Sequence, residues 1–139
     1  MDPTLSAFTR AIAYEPAPAS GSAAAVAVAM AAALAQKVAE RSESGARELA
    51  AGMELARRRA LQLAEADAAA VTEMLARRAP GAAAIEVPRE ISELAIQVRG
   101  VAVELESSGK PALLADAAGA RHLAEAGEEM VRAILRSNT

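Results

Sequence analysis

The 139-residue chain has no cysteine and no tryptophan, and it has a single tyrosine, phenylalanine and histidine. Without cysteine it can form neither a disulfide nor a reactive thiolate, and one histidine argues against a histidine-based zinc site. Basic residues are not in excess, because the formal net charge is −3. This charge gives no electrostatic reason to expect nucleic acid as a partner. We therefore expect no bound metal and no nucleic-acid partner.

The sequence pattern also lacks a targeting signal and a membrane-spanning run. The apolar run from Ala23 to Ala35 has 13 residues, fewer than the roughly 20 that cross a bilayer as a helix. Prolines rather than basic residues precede this run, unlike the start of a signal peptide. We expect a cytoplasmic protein with no membrane partner.

Small apolar side chains dominate what is present. The chain contains 40 alanines, and hydrophobic residues make up 53% of it. Helices of this composition approach closely through small side chains, and each residue buries little area, at roughly 25 cal/mol per Å². Oligomerisation would add burial, so we expect a homodimer. The length fits one domain, residues 1–139.

Apolar residues recur at three- and four-residue spacing along almost the whole chain, and no segment alternates with the period of a strand. Glycine, proline and serine clusters interrupt the pattern at short breaks. The sequence therefore predicts an all-α fold, an antiparallel bundle of about five helices. The predicted helices cover residues 4–13, 20–41, 46–78, 87–107 and 112–136.

A proline-stiffened loop precedes the uncharged second helix. Pro16 and Pro18 hold the approach extended, and Gly21 allows a neighbour or ligand to come close to the backbone. Ser20 or Ser22 can cap the first free amides of the helix. Those amides form a potential anion site; the alternative interpretation is a proline loop with a serine cap that opens a core helix.

Two carboxylates interrupt apolar stripes. Asp67 is in step with Leu63 and Val71 on the third helix, and Asp116 is in step with Ala120 on the last, so both are predicted to point inward. Burial raises the pKa of a carboxyl toward neutral pH, and two such groups form a candidate acid/base pair. The structural alternatives are pairing of Asp67 with an arginine and compensation of a helix dipole or cap by Asp116.

Several segments together resemble the cyclodeaminase/cyclohydrolase family, which includes the cyclodeaminase domain of formimidoyltransferase-cyclodeaminase and bacterial methenyltetrahydrofolate cyclohydrolases. The resemblance covers nearly the whole chain. The segments that carry it are Thr4-Leu-Ser-Ala-Phe8, similar to the opening helix of the family; Pro16 to Ser22, similar to its Pro-x-Pro-Gly-Gly-Gly-Ser loop; Glu65-Ala-Asp67, similar to an acidic mid-helix position; Val87-Pro88 with Glu93-Leu-Ala95, similar to the next helix; and Gly109 to Asp116, similar to its Gly-Asn-Pro-x-x-x-Ser-Asp segment.

The resemblance implies an all-helical subunit that dimerises and binds folate in a cleft between subunits. The tetrahydrofolate derivative is the substrate, and no separate cofactor is implied. Family members either hydrolyse the methenyl bridge of methenyltetrahydrofolate or expel ammonia from the formimino form while closing that bridge. The positions matching the substrate loop are Pro16, Pro18, Gly21 and Ser22, and those matching the catalytic acids are Asp67 and Asp116.

The chain departs from the family pattern at several places, including the residues around Asp116 and a shortened segment at residues 79–86. Ala19-Ser20 replaces two loop glycines, and the basic run after the second helix is reduced to Arg47, the one remaining candidate for the folate tail. Three interpretations stay open: a minimal enzyme, a relative with another substrate, and a scaffold without activity. The first function hypothesis is a one-carbon folate enzyme, by hydrolysis or deamination. The second is a non-catalytic helical dimer that binds a protein or a different small molecule.

Overall fold

Five α-helices carry most of the structure, a computed structural model that describes residues 4–42, 46–108 and 110–138. Within these segments there is no strand, as the sequence predicts. A short 3-10 turn at Pro111–Leu113 leads into the last helix. The helices are α1 (Leu5–Tyr14), α2 (Ser20–Arg41), α3 (Arg47–Arg77), α4 (Ala83–Ser108) and α5 (Leu114–Asn138).

The four long helices form an antiparallel bundle in which α2 packs against both α3 and α5. The start of α2 meets the second half of α3, where the Ser22 hydroxyl donates to the Ala64 carbonyl. The other end of α2 meets the start of α5, where Lys37 pairs with Asp116. Helix α4 packs against α5 and α3. The short connections between successive helices are those expected of antiparallel neighbours.

The core consists mainly of alanine. Of the 28 buried apolar residues in the described segments, 19 are alanines. Helices α2 and α5 come especially close at Gly127, where an added Cβ would lie 2.8 Å from Val28 and 3.2 Å from the Ala24 carbonyl oxygen. Small side chains thus set the spacing between the helices. The larger fully buried side chains are Met53, Leu63, Ile91, Leu105, Val28, Val38, Val98 and Val131.

The buried face of α5 differs from the predicted one. The sequence pattern assigned Asp116 to the inward stripe, together with the bulky residues of the helix. The structure buries Ala120 as predicted, but together with the small residues Ala117 and Ala124 rather than with the bulky ones. The bulky residues flank this alanine seam, because only small side chains fit where α5 approaches α2 most closely. Asp116 therefore lies at the edge of the interface, with its side chain 31% exposed.

Helix α4 begins earlier than predicted. The apolar stripe that begins at Val87 predicts a helix over residues 87–107. The structure begins α4 at Ala83, which places Pro88 inside the helix. Proline in this position cannot donate to the carbonyl of the residue four before it, Ala84. The Asn138 side chain donates to that carbonyl instead, at 3.0 Å.

Ion pairs fasten α5 to α4. Glu128 is buried, and its oxygens accept from Arg99 on α4 at 2.8 Å and from Arg132 at 2.7 Å. About two turns before Glu128 on the same helix, Arg121 of α5 pairs with Glu106 of α4. A buried carboxylate is costly without such partners. The two cross-helix pairs therefore favour one register between these helices.

Helix α2 is the one described helix that is long and apolar enough to cross a membrane by length and composition. Over half of that stretch is buried inside the bundle, as is also the case for the core helix of a soluble protein. Its outward side carries an apolar stripe with no charged residue, here called the α2 stripe. The stripe consists of Ala23, Val26, Ala27, Met30, Ala33 and Leu34, which are exposed or half-buried.

Candidate functional site

A cavity of about 450 Å³ opens where the start of α2 meets the second half of α3, the start of α4 and the end of α5. This volume lies in the range of small-molecule sites. Most of the wall is apolar, with polar groups at a few positions. The lining residues are Ala19, Ser20, Gly21, Asp67, Ala70, Val71, Met74, Ala84, Pro88, Met130, Ala133, Ile134, Ser137 and Asn138.

Asp67 is the one ionisable side chain among these lining residues. It is 4% exposed, as the stripe on α3 predicts. Its Oδ2 lies 3.5 Å from the Ser22 hydroxyl, and the Ser22 backbone N–H donates to the same carboxyl. Ser22 itself is fully buried and donates its hydroxyl proton to the Ala64 carbonyl at 2.7 Å. The carboxyl is thus oriented by the first turn of α2.

Gly21 is required for this arrangement because the Asp67 carboxyl lies directly against its Cα. A Cβ built on Gly21 would overlap both carboxyl oxygens and the carbon between them. A glycine here therefore permits a close approach by a side chain of the same protein. The glycine in the sequence predicts a close approach at this position by a neighbour or a ligand, and the structure identifies that neighbour as Asp67.

The predicted serine cap of α2 is wrong. The N-cap residue is Ala19, which has no side-chain oxygen to accept from the free amides. Ser22 lies too far inside the helix for that role, and its hydroxyl is bonded to Ala64. Asp67 takes the place of the cap from the neighbouring helix, since its carboxyl accepts from the Ser22 amide. An acidic group at this end is also favoured by the helix dipole.

Burial raises the pKa of Asp67 above the ordinary aspartate value, while the nearby Ser22 hydroxyl and the Ser22 backbone N–H act in the opposite direction. Desolvation is the largest cause. A carboxyl with a raised pKa can hold and release a proton closer to neutral pH. Within the described segments no arginine pairs with Asp67, so the structural alternative of an arginine pair does not apply.

The two prolines approach the cavity without lining it. Pro16 is exposed and Pro18 is half-buried in the segment between α1 and α2, and the Ala17–Pro18 peptide bond is cis. The cavity wall begins one residue later, at Ala19. The loop thus leads α2 to the cavity, and its residues Ser20 and Gly21 contribute to the wall.

Asp116 lies away from the cavity. Its carboxylate pairs with Lys37 at 2.8 Å, and Lys37 is 16 residues along α2 from Gly21. At about 1.5 Å per residue, the separation is about 24 Å along the helix axis. The expectation that Asp67 and Asp116 border one pocket is therefore not met within a single chain. Asp116 is in the first turn of α5, where a negative charge suits the helix dipole.

Arg47 also lies at the far end of the bundle. It is exposed and begins α3, about 30 Å along that helix from Asp67 at 1.5 Å per residue. Arg47, Lys37 and Asp116 therefore share one end, and Asp67 and the cavity occupy the other. Gly109, which belongs to one of the segments that carry the resemblance, is outside the described residues.

Sequence reasoning missed the wall that α4 and α5 contribute. The predicted helix over residues 87–107 leaves out Ala84, and Asn138 carries no local signal because its partner carbonyl is 54 residues away in the chain. The C-terminal end of α5 also supplies Ser137 to the cavity. In the parts of the chain that the structure describes, no three histidine, aspartate or glutamate side chains form a group suited to a metal ion.

Comparisons with known proteins agree with this architecture. A crystal structure of formiminotetrahydrofolate cyclodeaminase from Thermotoga maritima superposes with a TM-score of 0.89 at 23% identity, covering 99% of this chain and 78% of that one. This similarity shows the shared fold. Among curated protein sequences, none matches the chain significantly. The family model for formiminotransferase-cyclodeaminase matches residues 4–139. The chain therefore belongs to the formiminotransferase-cyclodeaminase family.

Proposed function

We propose that the protein is a one-carbon folate enzyme of the cyclodeaminase or cyclohydrolase type. The observation that carries this proposal is the buried Asp67 carboxyl at the wall of the 450 Å³ cavity. Family membership supports the substrate class, and the solved relative of the same fold is described as a formiminotetrahydrofolate cyclodeaminase. The substrate is a tetrahydrofolate derivative, and the proposal requires no other cofactor.

Both candidate reactions need a group that gives and takes a proton beside a tetrahedral carbon. In deamination, N10 of the formimino form attacks the formimino carbon and loses its proton, and the bond from that carbon to the departing amine breaks as the amine takes up a proton and leaves as ammonia. In hydrolysis, water attacks the methenyl carbon and loses a proton, and one carbon–nitrogen bond of the bridge then breaks as the released nitrogen takes up a proton and the formyl group forms. Asp67 suits either role because desolvation raises its pKa, and a positioned acid or base of this kind contributes about 10²- to 10⁴-fold in rate.

The proposed enzyme is a homodimer formed through the α2 stripe. That stripe is centred between residues 28 and 29, with no charged side chain from residue 20 to 35. A two-fold antiparallel pairing about this centre places residue 37 of one copy opposite residue 20 of the other. The partner's Lys37 and Asp116 would then face the start of α2, beside the cavity. This pairing gives Asp116 a catalytic or orienting role that a single chain does not allow.

The test is an assay of both reactions with purified protein. Methenyltetrahydrofolate is followed by loss of the methenyl absorbance above the spontaneous rate, and formiminotetrahydrofolate is followed by release of ammonia. We expect one of the two activities in the parent and its loss in Asp67→Asn. A matched control is Glu73→Gln, since Glu73 is an exposed acid on the same helix, paired with Arg77.

Absence of both activities, together with no binding of a reduced folate, would contradict the proposal. That result combined with a stable dimer would favour the second hypothesis, a non-catalytic dimer that binds a protein or a different small molecule. The unpartnered α2 stripe is the observation that favours it. Activity with only one substrate would decide between deamination and hydrolysis.

A further inference from the structure

A proline inside a helix leaves a hydrogen-bonding gap in the wall of the cavity. Pro88 is the sixth residue of α4 and has no N–H. The carbonyl of Ala84, four residues before it, therefore lacks the helical donor that any other residue type would supply. Ala84 and Pro88 are both buried, and both line the cavity. An unpaired buried carbonyl is costly, so this position calls for a donor from elsewhere.

Asn138, in the last turn described for α5, supplies that donor. Its Nδ2 lies 3.0 Å from the Ala84 carbonyl oxygen and is the only side-chain hydrogen bond of Asn138 within the described residues. A carbonyl accepts and does not donate, so this bond fixes which branch of the carboxamide faces Ala84. The oxygen Oδ1 and the second Nδ2 proton remain available. Asn138 also lines the cavity that Asp67 borders.

We infer that Asn138 is a substrate-binding residue whose carboxamide is oriented by the Ala84 carbonyl. This inference rests on the proposed function. It assigns to the α5 side of the cavity an acceptor and a donor on one group, which the Ala84 carbonyl orients. The ligand chemistry that matches is a flat heterocycle with its own amide-like edge of donors and acceptors, such as the pterin ring of a reduced folate.

The simpler alternative is that Asn138 only satisfies the Ala84 carbonyl. The two roles respond differently to Pro88→Ala, which restores an N–H at position 88 and gives Ala84 an ordinary helical partner. In that background the carbonyl no longer needs Asn138. A purely structural Asn138 then becomes dispensable, whereas a substrate-binding Asn138 does not.

The experiment compares Asn138→Ala in the parent and in the Pro88→Ala background. We expect Asn138→Ala to raise KM for the one-carbon folate roughly tenfold in both, as loss of one hydrogen bond predicts, with kcat changed less than about threefold. Calorimetry with 5-formyltetrahydrofolate as a stable probe should show a matching rise in Kd. Gln97→Ala, which removes an exposed carboxamide from α4 outside the cavity, is the matched control.

Three outcomes are decisive. Equal KM and Kd for Pro88→Ala and the double variant would overturn the inference and leave Asn138 as a cap for Ala84. If Asn138→Ala alone folds poorly, the double variant still tests the inference, because the N–H restored at position 88 donates to the Ala84 carbonyl. A parent that neither turns over nor binds folate would overturn the proposed function and this inference with it. An active parent with unchanged Asn138 variants would overturn the inference alone.

Discussion

The Asp67 carboxyl lies against the Cα of Gly21, so close that a methyl group at position 21 would overlap it. The acid is held there by the backbone N–H of the next residue, Ser22. Contact between a buried acid and a helix start thus depends on the absence of a side chain at one position. This dependence makes Gly21 a direct probe of the site.

Gly21→Ala should displace Asp67 and lower kcat/KM at least tenfold, with a loss of stability of about 1–3 kcal/mol typical of overpacking. Gly100→Ala is the control, because nothing lies within 4 Å of a Cβ at that exposed helical position. The control should keep its activity and gain about 0.5–1 kcal/mol, the usual difference between the two residues inside a helix. Enzyme assays and urea unfolding measure the two effects. Equal behaviour of the variants would contradict the described contact.

Asp67→Asn should abolish activity and yet stabilise the protein at neutral pH. The native pKa of Asp67 is raised by desolvation, so the folded state holds its proton more tightly than the unfolded state. The acid therefore favours folding below the ordinary carboxyl pKa, near 3.9, and this advantage is lost as the pH rises from there through the raised native pKa. Unfolding free energies across that window should fall with pH more in the parent than in Asp67→Asn. Parallel curves would show that the native pKa is not raised.

Asp116→Asn should lower kcat/KM strongly if a partner subunit brings this acid to the cavity. In the single chain Asp116 pairs with Lys37 through partly exposed side chains, and exposed pairs contribute at most about 1 kcal/mol. Unfolding should therefore change little while activity falls. Lys37→Gln provides the comparison, because it removes the same ion pair but keeps the acid. Full activity in Asp116→Asn would return Asp116 to a structural role at the start of α5.

The parent should sediment as a dimer at micromolar concentration, with an interface above about 1,000 Å². Met30→Glu places a charge in the middle of the α2 stripe, where Met30 is 45% exposed, and should shift the protein toward monomer. Leu55→Glu is the control, since Leu55 is 68% exposed on α3, away from the stripe. A monomeric parent, or dissociation by the control alone, would exclude the α2 stripe as the interface.

Added tail glutamates on the folate should improve KM only weakly. Arg47 is the single basic residue retained at the start of α3, and several basic groups would be needed for repeated charge-assisted contacts with such a tail. KM values for substrates with one and several glutamates measure this response. Within one chain Arg47 lies at the end of α3 away from the cavity, so Arg47→Ala should remove what remains of the response only through the proposed dimer, in which the partner's Arg47 would be the residue near the cavity. Arg77→Ala at the opposite end of α3 is the control. A steep gain with tail length would point to a basic surface other than Arg47.

The fold and one half of the candidate site were predictable from the sequence. Helical periodicity placed Asp67 correctly because its neighbours Leu63 and Met53 mark the buried face of α3. The same reasoning failed for Asp116, since a hydrophobic pattern gives weight to large residues, whereas the buried face of α5 includes the small residues Ala117, Ala120 and Ala124. Which residues lie at such a contact depends on the distance between the two helices. The sequence of one helix alone does not give that distance.

The α4 and α5 side of the cavity was not predictable for a related reason. Proline in a helix is normally unfavourable by about 3 kcal/mol, and the predicted helix begins at residue 87, directly before Pro88. Pro88 lies inside α4, where the amide of Asn138 serves the freed carbonyl. That compensation joins residues more than 50 positions apart. Local propensity cannot foresee a hydrogen bond that only the assembled bundle creates.

Because the interior is rich in alanine, we expect it to tolerate few substitutions that add volume. Most buried positions, such as Ala24, Ala32 and Ala60, have almost no side chain to remove. Nearly every substitution there adds volume, which a closely packed core resists. In a scan of all single substitutions, the interior should therefore reject changes by size rather than by loss of apolar character. Substitutions that increase stability should lie outside the close contacts between helices, at positions where a larger side chain has room.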